Sequence, residues 1–265
     1  MKRLKAELSF LRALTAVNLS SAMEYRASFI TQIVGMFINN GIYFVFWLIF
    51  FDRFGAVRGY QIGDIYLLFA IVAFGYGIGY MFAANTGANL AYLIAQGRLD
   101  YYLVLPRNLL LHVIFSRMSV STIGDVSFGL VAYLFTGRFH PLEILLFLLT
   151  SVSAGLIFVG FGIITGSLAF YIGNAQYLSM QLSNAMLTFA LYPNAIFTGV
   201  ARFLLLTLLP AAFIGAVPVQ IIQERDGLLL LAMVGVMVLV WGVATAVFYG
   251  GLRRYESGSA LNVNV

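Results

Sequence analysis

No cysteine occurs among the 265 residues, no lysine lies beyond Lys5, and the only histidines are His112 and His140. The first absence removes disulfides, thiolate nucleophiles and cysteine-based metal sites together, and leaves the redox compartment open. The second excludes a G-x-x-x-x-G-K-[ST] loop, so the chain does not cradle nucleotide phosphates in the P-loop manner. The third excludes a shared metal, because on a helix the two histidines would stand about 42 Å apart, flanking one apolar segment. Charge is scarce as well. Charged residues make up 9% of the chain, against roughly 25% in a soluble domain, too few to clothe a water-facing surface. The net charge of +5 does not point to nucleic acid: the two lysines sit at the amino end and the arginines scatter among polar breaks, the pattern of membrane topology.

What is present is apolar. Hydrophobic residues make up 62% of the chain, and they come in runs that must be helical in hydrocarbon, where every backbone N–H and C=O needs a partner within its own segment. Spans are predicted at 27–51, 64–86, 109–135, 143–172, 177–192 and 228–250, with polar connections at 52–63, 89–108 and 137–143. Residues 1–26 are predicted to form an amphipathic interfacial helix, with Leu4, Leu8, Leu11 and Leu14 at helical spacing set against Lys2, Lys5 and Arg12. A cleavable signal peptide is not expected, because the first long apolar run starts near Ala27, is too long for an h-region and lacks a small-x-small site after it. The predicted class is an all-α polytopic membrane protein, with 27–265 as its transmembrane domain.

Residues 177–222 are less regular, apolar but punctuated by Pro193, Pro210 and Pro218, with Arg202 in the middle. One crossing followed by a re-entrant excursion over 193–222 gives six spans and both termini on one side; two crossings give seven. With six, nine basic residues (Lys2, Arg3, Lys5, Arg12, Arg26, Arg98, Arg107, Arg253, Arg254) share the side of the termini and five (Arg53, Arg58, Arg138, Arg202, Arg225) lie opposite. With seven the partition is eight to six. Six obeys the positive-inside rule better, and prolines at membrane depth are tolerated where protein or water covers the freed backbone groups.

In the six-span arrangement one long loop between spans faces the cytoplasm, Asn89 to Asn108. Leu90, Leu93 and Ile94 have helical spacing, Gln96-Gly97 breaks it, and Leu99, Tyr102, Leu103 and Leu105 follow before Pro106. Such a segment lies along the membrane with one apolar face and offers Arg98, Asp100 and Tyr101 to a soluble partner, the economical way for a short helix to dock into a groove.

The run Gln96-Gly97-Arg98-Leu99-Asp100 through Leu103-Val104-Leu105-Pro106, the later Tyr192-Pro193-Asn194-Ala195-Ile196-Phe197, the segment from Leu209 to Pro218 and the ending Arg253-Arg254-Tyr255-Glu256-Ser257-Gly258 resemble, in this order, the membrane subunits of ABC-2 type exporters over nearly the whole chain. The resemblance implies the ABC-2 type exporter fold and a permease, not an enzyme, that pairs with an identical or similar permease. Two copies of a separate ABC ATPase would drive it and bind ATP and Mg; no cofactor is expected in this chain. It implies a bacterial cytoplasmic (inner) membrane, with both termini cytoplasmic. The ATPase-coupling loop would fall at 89–106, with Gln96, Gly97, Arg98, Leu99, Asp100, Tyr101, Leu103 and Pro106, and an outer re-entrant pair at 193–222.

Polar residues inside spans are the remaining candidates. Asn39 and Asn40 in the first, Tyr76, Tyr80 and Asn85 in the second, and Gln181, Asn184 and Tyr192 in the fifth are candidate path-lining groups, and polar glue between helices is the competing role. Arg117 and Asp125 fall in the third span, about 12 Å apart along a continuous helix and too far to pair. Arg117 is expected to snorkel to the cytoplasmic interface, and Asp125 to meet hydroxyls of a neighbouring helix or water. Gly75-x-Gly77-x-Gly79 and the Gly162/Gly166 pair are read as close helix packing rather than phosphate loops.

The expected function is the transmembrane subunit of an ATP-driven exporter working by alternating access, with an aromatic interior suited to an amphipathic cargo. An ion-coupled secondary transporter would rest mainly on Asp125, and the chain lacks obvious repeated halves. A membrane-embedded enzyme acting on lipid or peptide would need convergent acid, base or nucleophile groups at one depth, which the sequence does not offer.

Overall fold

The computed structural model describes residues 2–56, 59–193 and 197–256, with side chains omitted at 2–5, 201, 202 and 205. The cationic group at Lys2 and Lys5, Arg58, Arg202, the middle of the Tyr192–Phe197 run and Ser257-Gly258 therefore lie outside what is described. Every described element is helical. Helix α1 (Lys2–Glu24) precedes α2 (Arg26–Phe54), α3 (Ile62–Phe82), α4 (Ala88–Ala95), α5 (Asp100–Leu103), α6 (Leu109–Phe115) and α7 (Thr122–Leu134). There follow α8 (Pro141–Ser167), its one-turn continuation α9 (Ala169–Ile172), α10 (Gln176–Ala190), α11 (Gly199–Thr207), a 3-10 turn (Pro210–Phe213), α12 (Ala216–Glu224) and α13 (Gly227–Leu252).

Local chemistry sets the ends. The Gln61 amide donates to the Asp64 carboxylate at 2.8 Å to start α3, and Asp226 accepts from the Leu228 and Leu229 amides at 2.8 and 3.1 Å to start α13. Pro141 opens α8, where its missing N–H costs nothing, behind the His140 cap. Gly55, at φ 70°, ends α2 by returning its N–H to Phe51.

Among the described residues four helical segments are long and apolar enough to cross a bilayer: Arg26–Phe54, Ile62–Phe82, Pro141–Ile172 and Gly227–Leu252. They differ in depth within the protein. In the most apolar window of each, 61% of α3 and 67% of α8 is buried, against 6% of α2 and 17% of α13. Helices α3 and α8 are thus the spine, α7 packs on α3, α13 on α8, and α2 lies outermost against α7. Glycines set the spacing of the spine. A methyl on Gly75 would come within 2.6 Å of the Ser151 carbonyl, and one on Gly79 within 2.8 Å of the Gly155 carbonyl, so α3 and α8 touch backbone to backbone. Without a hydrophobic driving force between helices in lipid, that close contact is the main source of their attraction.

Two expectations from periodicity need correction. The segment 109–135 is not one helix: α6 stops at Phe115 and α7 starts at Thr122. Ser116, Ser119, Ser121 and Thr122 cluster there, and such side chains compete for backbone partners; Ser116 Oγ donates to the Val113 carbonyl at 2.6 Å and Thr122 Oγ1 to that of Ser119. Helix α3 ends just opposite, and the Ala84 N–H donates to the Arg117 carbonyl at 3.1 Å, so each break satisfies part of the other. The segment 177–192 corresponds to α10, 15 residues long, about 22 Å at helical rise and shorter than the roughly 30 Å of a hydrocarbon core.

The two ends of the bundle differ. At one, α1 lies along α6: Asn18 donates to the Phe115 carbonyl at 3.3 Å, Glu7 and Arg107 stand 3.6 Å apart, and Arg107 covers the Phe10 ring. Tyr255, just past α13, reaches the same apolar cluster as Leu99, Leu109 and Phe248. At the other end Glu143 at the start of α8 holds Arg138 at 3.2 Å and Arg225 at 3.5 Å, and Gln223 at the end of α12 donates to Asp64 at the start of α3. Residues 210–222 pack there against α3, α8 and α10, with Ile214, Val219, Ile221 and Ile222 buried.

Candidate functional site

Helices α2, α3, α7 and α10 line a cavity of about 440 Å³, within the size range of small-molecule sites. It gathers Asn39 and Asn40 from α2, Tyr76 from α3, Asp125 from α7, Asn184 from α10 and Tyr192 just beyond it. Tyr43, Phe46, Trp47 and Phe69 supply most of the rest of its aromatic wall. Asn39, Asn184 and Tyr192 remain exposed, so the cavity opens to one side of the chain. Tyr76 and Asn184 also line a neighbouring cavity of about 240 Å³ with Tyr80, Thr86, Asn89, Ser119 and Ser183, which reaches the broken end of α3. Tyr76 and Tyr80 stack at 4.6 Å between the two.

Asp125 is the only charged residue of the described cavity lining and is 2% exposed. The Asn40 amide donates to its Oδ1 at 2.7 Å and also to the Met36 carbonyl of its own helix at 3.2 Å. Its Oδ2 is buried with no hydrogen-bond partner. Of the two expected partners, a hydroxyl of a neighbouring helix or water, the first is corrected: the neighbouring helix supplies an amide. Gly124 is the reason: α2 crosses α7 so closely that a methyl there would collide with the Ile33 carbonyl, which puts Asn40 opposite Asp125.

Two of the candidate path residues stand elsewhere. Asn85 is buried and donates to Ser116 Oγ at 2.7 Å; its neighbours Ala84 and Thr86 line the second cavity, and its own side chain is turned to Ser116. Gln181 is exposed on α10 and donates to the Tyr177 hydroxyl at 2.9 Å. Arg117 is exposed in the break between α6 and α7 rather than inside a helix. Sequence reasoning missed Trp47 and Tyr43 as cavity residues, although both follow Asn39 and Asn40 at helical spacing, the signal that could have found them.

Sequence reasoning also missed Ser116. Its hydroxyl meets both Asn85 and the Tyr102 hydroxyl, the latter at 3.0 Å, and so links the end of α3 to α5. The cluster of serines around it was the available signal. His112 sits between Phe10 and Tyr102, both rings edge-on at 5.0 Å, which ties α1 to the same junction. His140, at the other end of α7, caps α8.

The loop from Asn89 to Asn108 folds as α4, a turn at Gln96 and Gly97 (φ 65°), and the single turn α5. Leu99 is fully buried and anchors it, and Arg98 covers the Tyr92 ring. Asp100 lies beside Tyr255; burial first, then the Asp100 charge, pushes that phenol up to about 12. Tyr101, Leu103, Val104 and Leu105 are exposed, Val104 at 79%, and Pro106 is exposed beside them. Leu103 and Leu105 are thus exposed while Leu99 is buried and Tyr102 half-buried, so the four do not form the single apolar face expected from helical spacing. Helix α5 lasts only four residues, and beyond it consecutive side chains turn outward.

No curated protein and no solved structure matches the chain. One family model does, over residues 37–259: that of the ABC-2 family transporter proteins. The match takes in α3 to α13, the 89–106 segment, all but the first turns of α2, and the described lining of both cavities except Met36. On that match, with several apolar helices of spanning length, the chain is a multi-pass membrane component of a transporter and belongs to the ABC-2 family of transporter proteins.

Proposed function

We propose that the chain is the permease subunit of an ATP-driven exporter, working as a dimer with an identical or similar permease and driven by two copies of a separate ATPase that binds ATP and Mg. The observation that carries this is the ridge formed by Tyr101, Leu103, Val104 and Leu105, exposed at the end of the bundle where α1, α5 and the end of α13 meet. An uncovered apolar ridge flanked by polar groups supports reading it as a protein-docking surface; Gln96, Gly97, Arg98, Asp100 and Pro106 flank it, and the buried Leu99 anchors it from beneath. Leu99, rooted in the core, and the Tyr102–Ser116–Asn85 chain would pass a push on this ridge to the ends of α3 and α6.

The same end carries Arg98, Arg107, Arg253 and Arg254, in keeping with a cytoplasmic side at a bacterial inner membrane and with both termini there. Six crossings follow if the α6–α7 pair and α10 each count as one. The segment 193–222 would then be re-entrant at the outer end, as the contacts of Gln223 and Arg225 just beyond it with Asp64 and Glu143 favour. The outermost helix, α2, leaves most of its aromatic and aliphatic surface uncovered, and the open cavity beside it would be closed by the second permease. ATP binding would draw the two ATPases together, move the ridges and open the shared space outward. Asn39, Asn40, Tyr76, Tyr80, Asn184 and Tyr192 would line the path, with an amphipathic cargo suited to the aromatic wall.

Co-expression with any P-loop ATPase that a neighbouring gene encodes tests the reading. A stable complex whose ATP turnover depends on the permease supports it. Asp125 in the cavity favours one rival, an ion-coupled transporter. Transport that follows an ion gradient, is indifferent to ATP and is lost in Asp125→Asn would establish that rival instead.

A further inference from the structure

We infer that the cavity between α2, α3, α7 and α10 is a recognition site for an amphipathic amine carrying at least one N–H on its cationic nitrogen, with Asp125 as the group that selects it. This rests on reading the cavity as part of the transport path and names the class of molecule that path would take.

The inference starts from an imbalance of charge and hydrogen bonds at Asp125. The carboxyl is buried in the protein, and no Lys, Arg or His shares the described lining with it. A buried carboxylate is costly unless paired and hydrogen-bonded, and here one oxygen is held by the Asn40 amide while the other has no partner. The deficit is one positive charge and one donor. A protonated amine supplies both through a charge-assisted N–H···O bond; an alcohol supplies only the donor, and a quaternary ammonium only the charge.

The rest of the wall fits the same ligand. Tyr43, Phe46, Trp47, Tyr76 and Tyr192 line the cavity with aromatic rings, whose quadrupoles attract a cation and whose bodies bury an apolar skeleton. Asn39 and Asn184 lie on the exposed side, able to take a polar tail. A metal ion fits less well, since the described residues hold no cluster of three or more acidic or histidine side chains.

Trp47 lines the cavity and Trp241 does not, its Nε1 being bound to the Leu156 carbonyl at 2.9 Å. In a Trp241→Phe background Trp47 is the single tryptophan reporter. The purified full chain in lipid nanodiscs would be titrated with three probes of one skeleton: 4-phenylbutylamine, its N,N,N-trimethyl analogue and 4-phenylbutanol. The expected result is saturable quenching or shift of Trp47 emission, with the amine binding at least tenfold tighter than either analogue. Asp125→Asn should abolish that preference and leave alcohol binding unchanged, which shows that the cavity is still folded; Asp125→Glu should retain part of it. Equal affinity for the three probes, a preference for the quaternary analogue, or an amine preference that survives Asp125→Asn would overturn the inference. Binding requires no ATP, so failure here would leave the ATP-driven reading standing, and loss of the ATPase partnership would leave this binding result readable.

Discussion

The Asn40 amide lies 2.7 Å from Asp125 Oδ1, joining the outermost helix α2 to α7 at the wall of an open cavity. It is a polar bond between two helices that pack closely at Gly124. Replacing Asn40 by Ala leaves a buried carboxyl without its donor, and polar interhelical bonds in membranes are worth about 1–2 kcal/mol. The expected outcome for Asn40→Ala is a lower thermal midpoint in detergent. Asn40→Asp should lower it further, because like charges would then face each other. Asp125→Asn, which keeps an acceptor, should come closest to the parent protein.

The contact of α3 with α8 predicts opposite outcomes for glycines that look alike in sequence. Gly75→Ala places a methyl against the Ser151 carbonyl, and overpacking of this kind costs about 1–3 kcal/mol. Gly235→Ala and Gly242→Ala, on α13 with nothing within 4 Å of the added carbon, should be neutral or stabilising by about 0.5–1 kcal/mol through helix propensity. Thermal unfolding monitored by size-exclusion recovery distinguishes the two classes.

Glu143 binds the cations of Arg138 and Arg225 at the end of the bundle away from Tyr255. Arg225 is also the only described non-glycine residue with positive φ, at 53°, where it ends α12 in the left-handed conformation that glycine adopts without penalty. Arg225→Gly therefore loses the ion pair and gains backbone ease, and should destabilise less than Arg225→Ala. Hydrogen exchange in 216–226 checks this: protection falls most in Glu143→Gln, next in Arg225→Ala and least in Arg225→Gly.

Ser116 carries two hydrogen bonds that bind the end of α3 to α5. Ser116→Ala leaves the buried Asn85 amide unpaired at a cost of about 1–3 kcal/mol. Limited proteolysis should then cut faster within 96–107, while α8 and α13 keep their protection. On the proposed function, Asp100→Lys and a proline at Tyr102 would leave the permease folded and uncouple ATP hydrolysis by the partner from transport.

Much of this architecture could be read from the chain, because lipid makes length and apolarity decisive. The runs 27–51, 64–86, 143–172 and 228–250 correspond to α2, α3, the α8–α9 segment and α13 with shifts of a few residues at their ends. The break at 116–121 was hidden because Val120 and Ile123 keep the hydropathy of 109–135 high while the serines beside them divert the backbone. Asn39, Asn40, Tyr76, Asn184 and Tyr192 could be chosen from sequence as polar residues in apolar helices. That they share one cavity with Asp125, and that Asn85 and Gln181 do not, depends on helix rotation, which periodicity does not fix when a helix is apolar all round.

The most direct measurement is the mass and ATP turnover of the purified complex formed with any P-loop ATPase that a neighbouring gene encodes. The account predicts two permeases bound to two ATPases, turnover that rises on assembly, and dissociation when Tyr101 and Val104 at the exposed ridge are both changed to Asp. A chain that transports on its own under an ion gradient, with no ATPase bound and no effect of those changes, would contradict it.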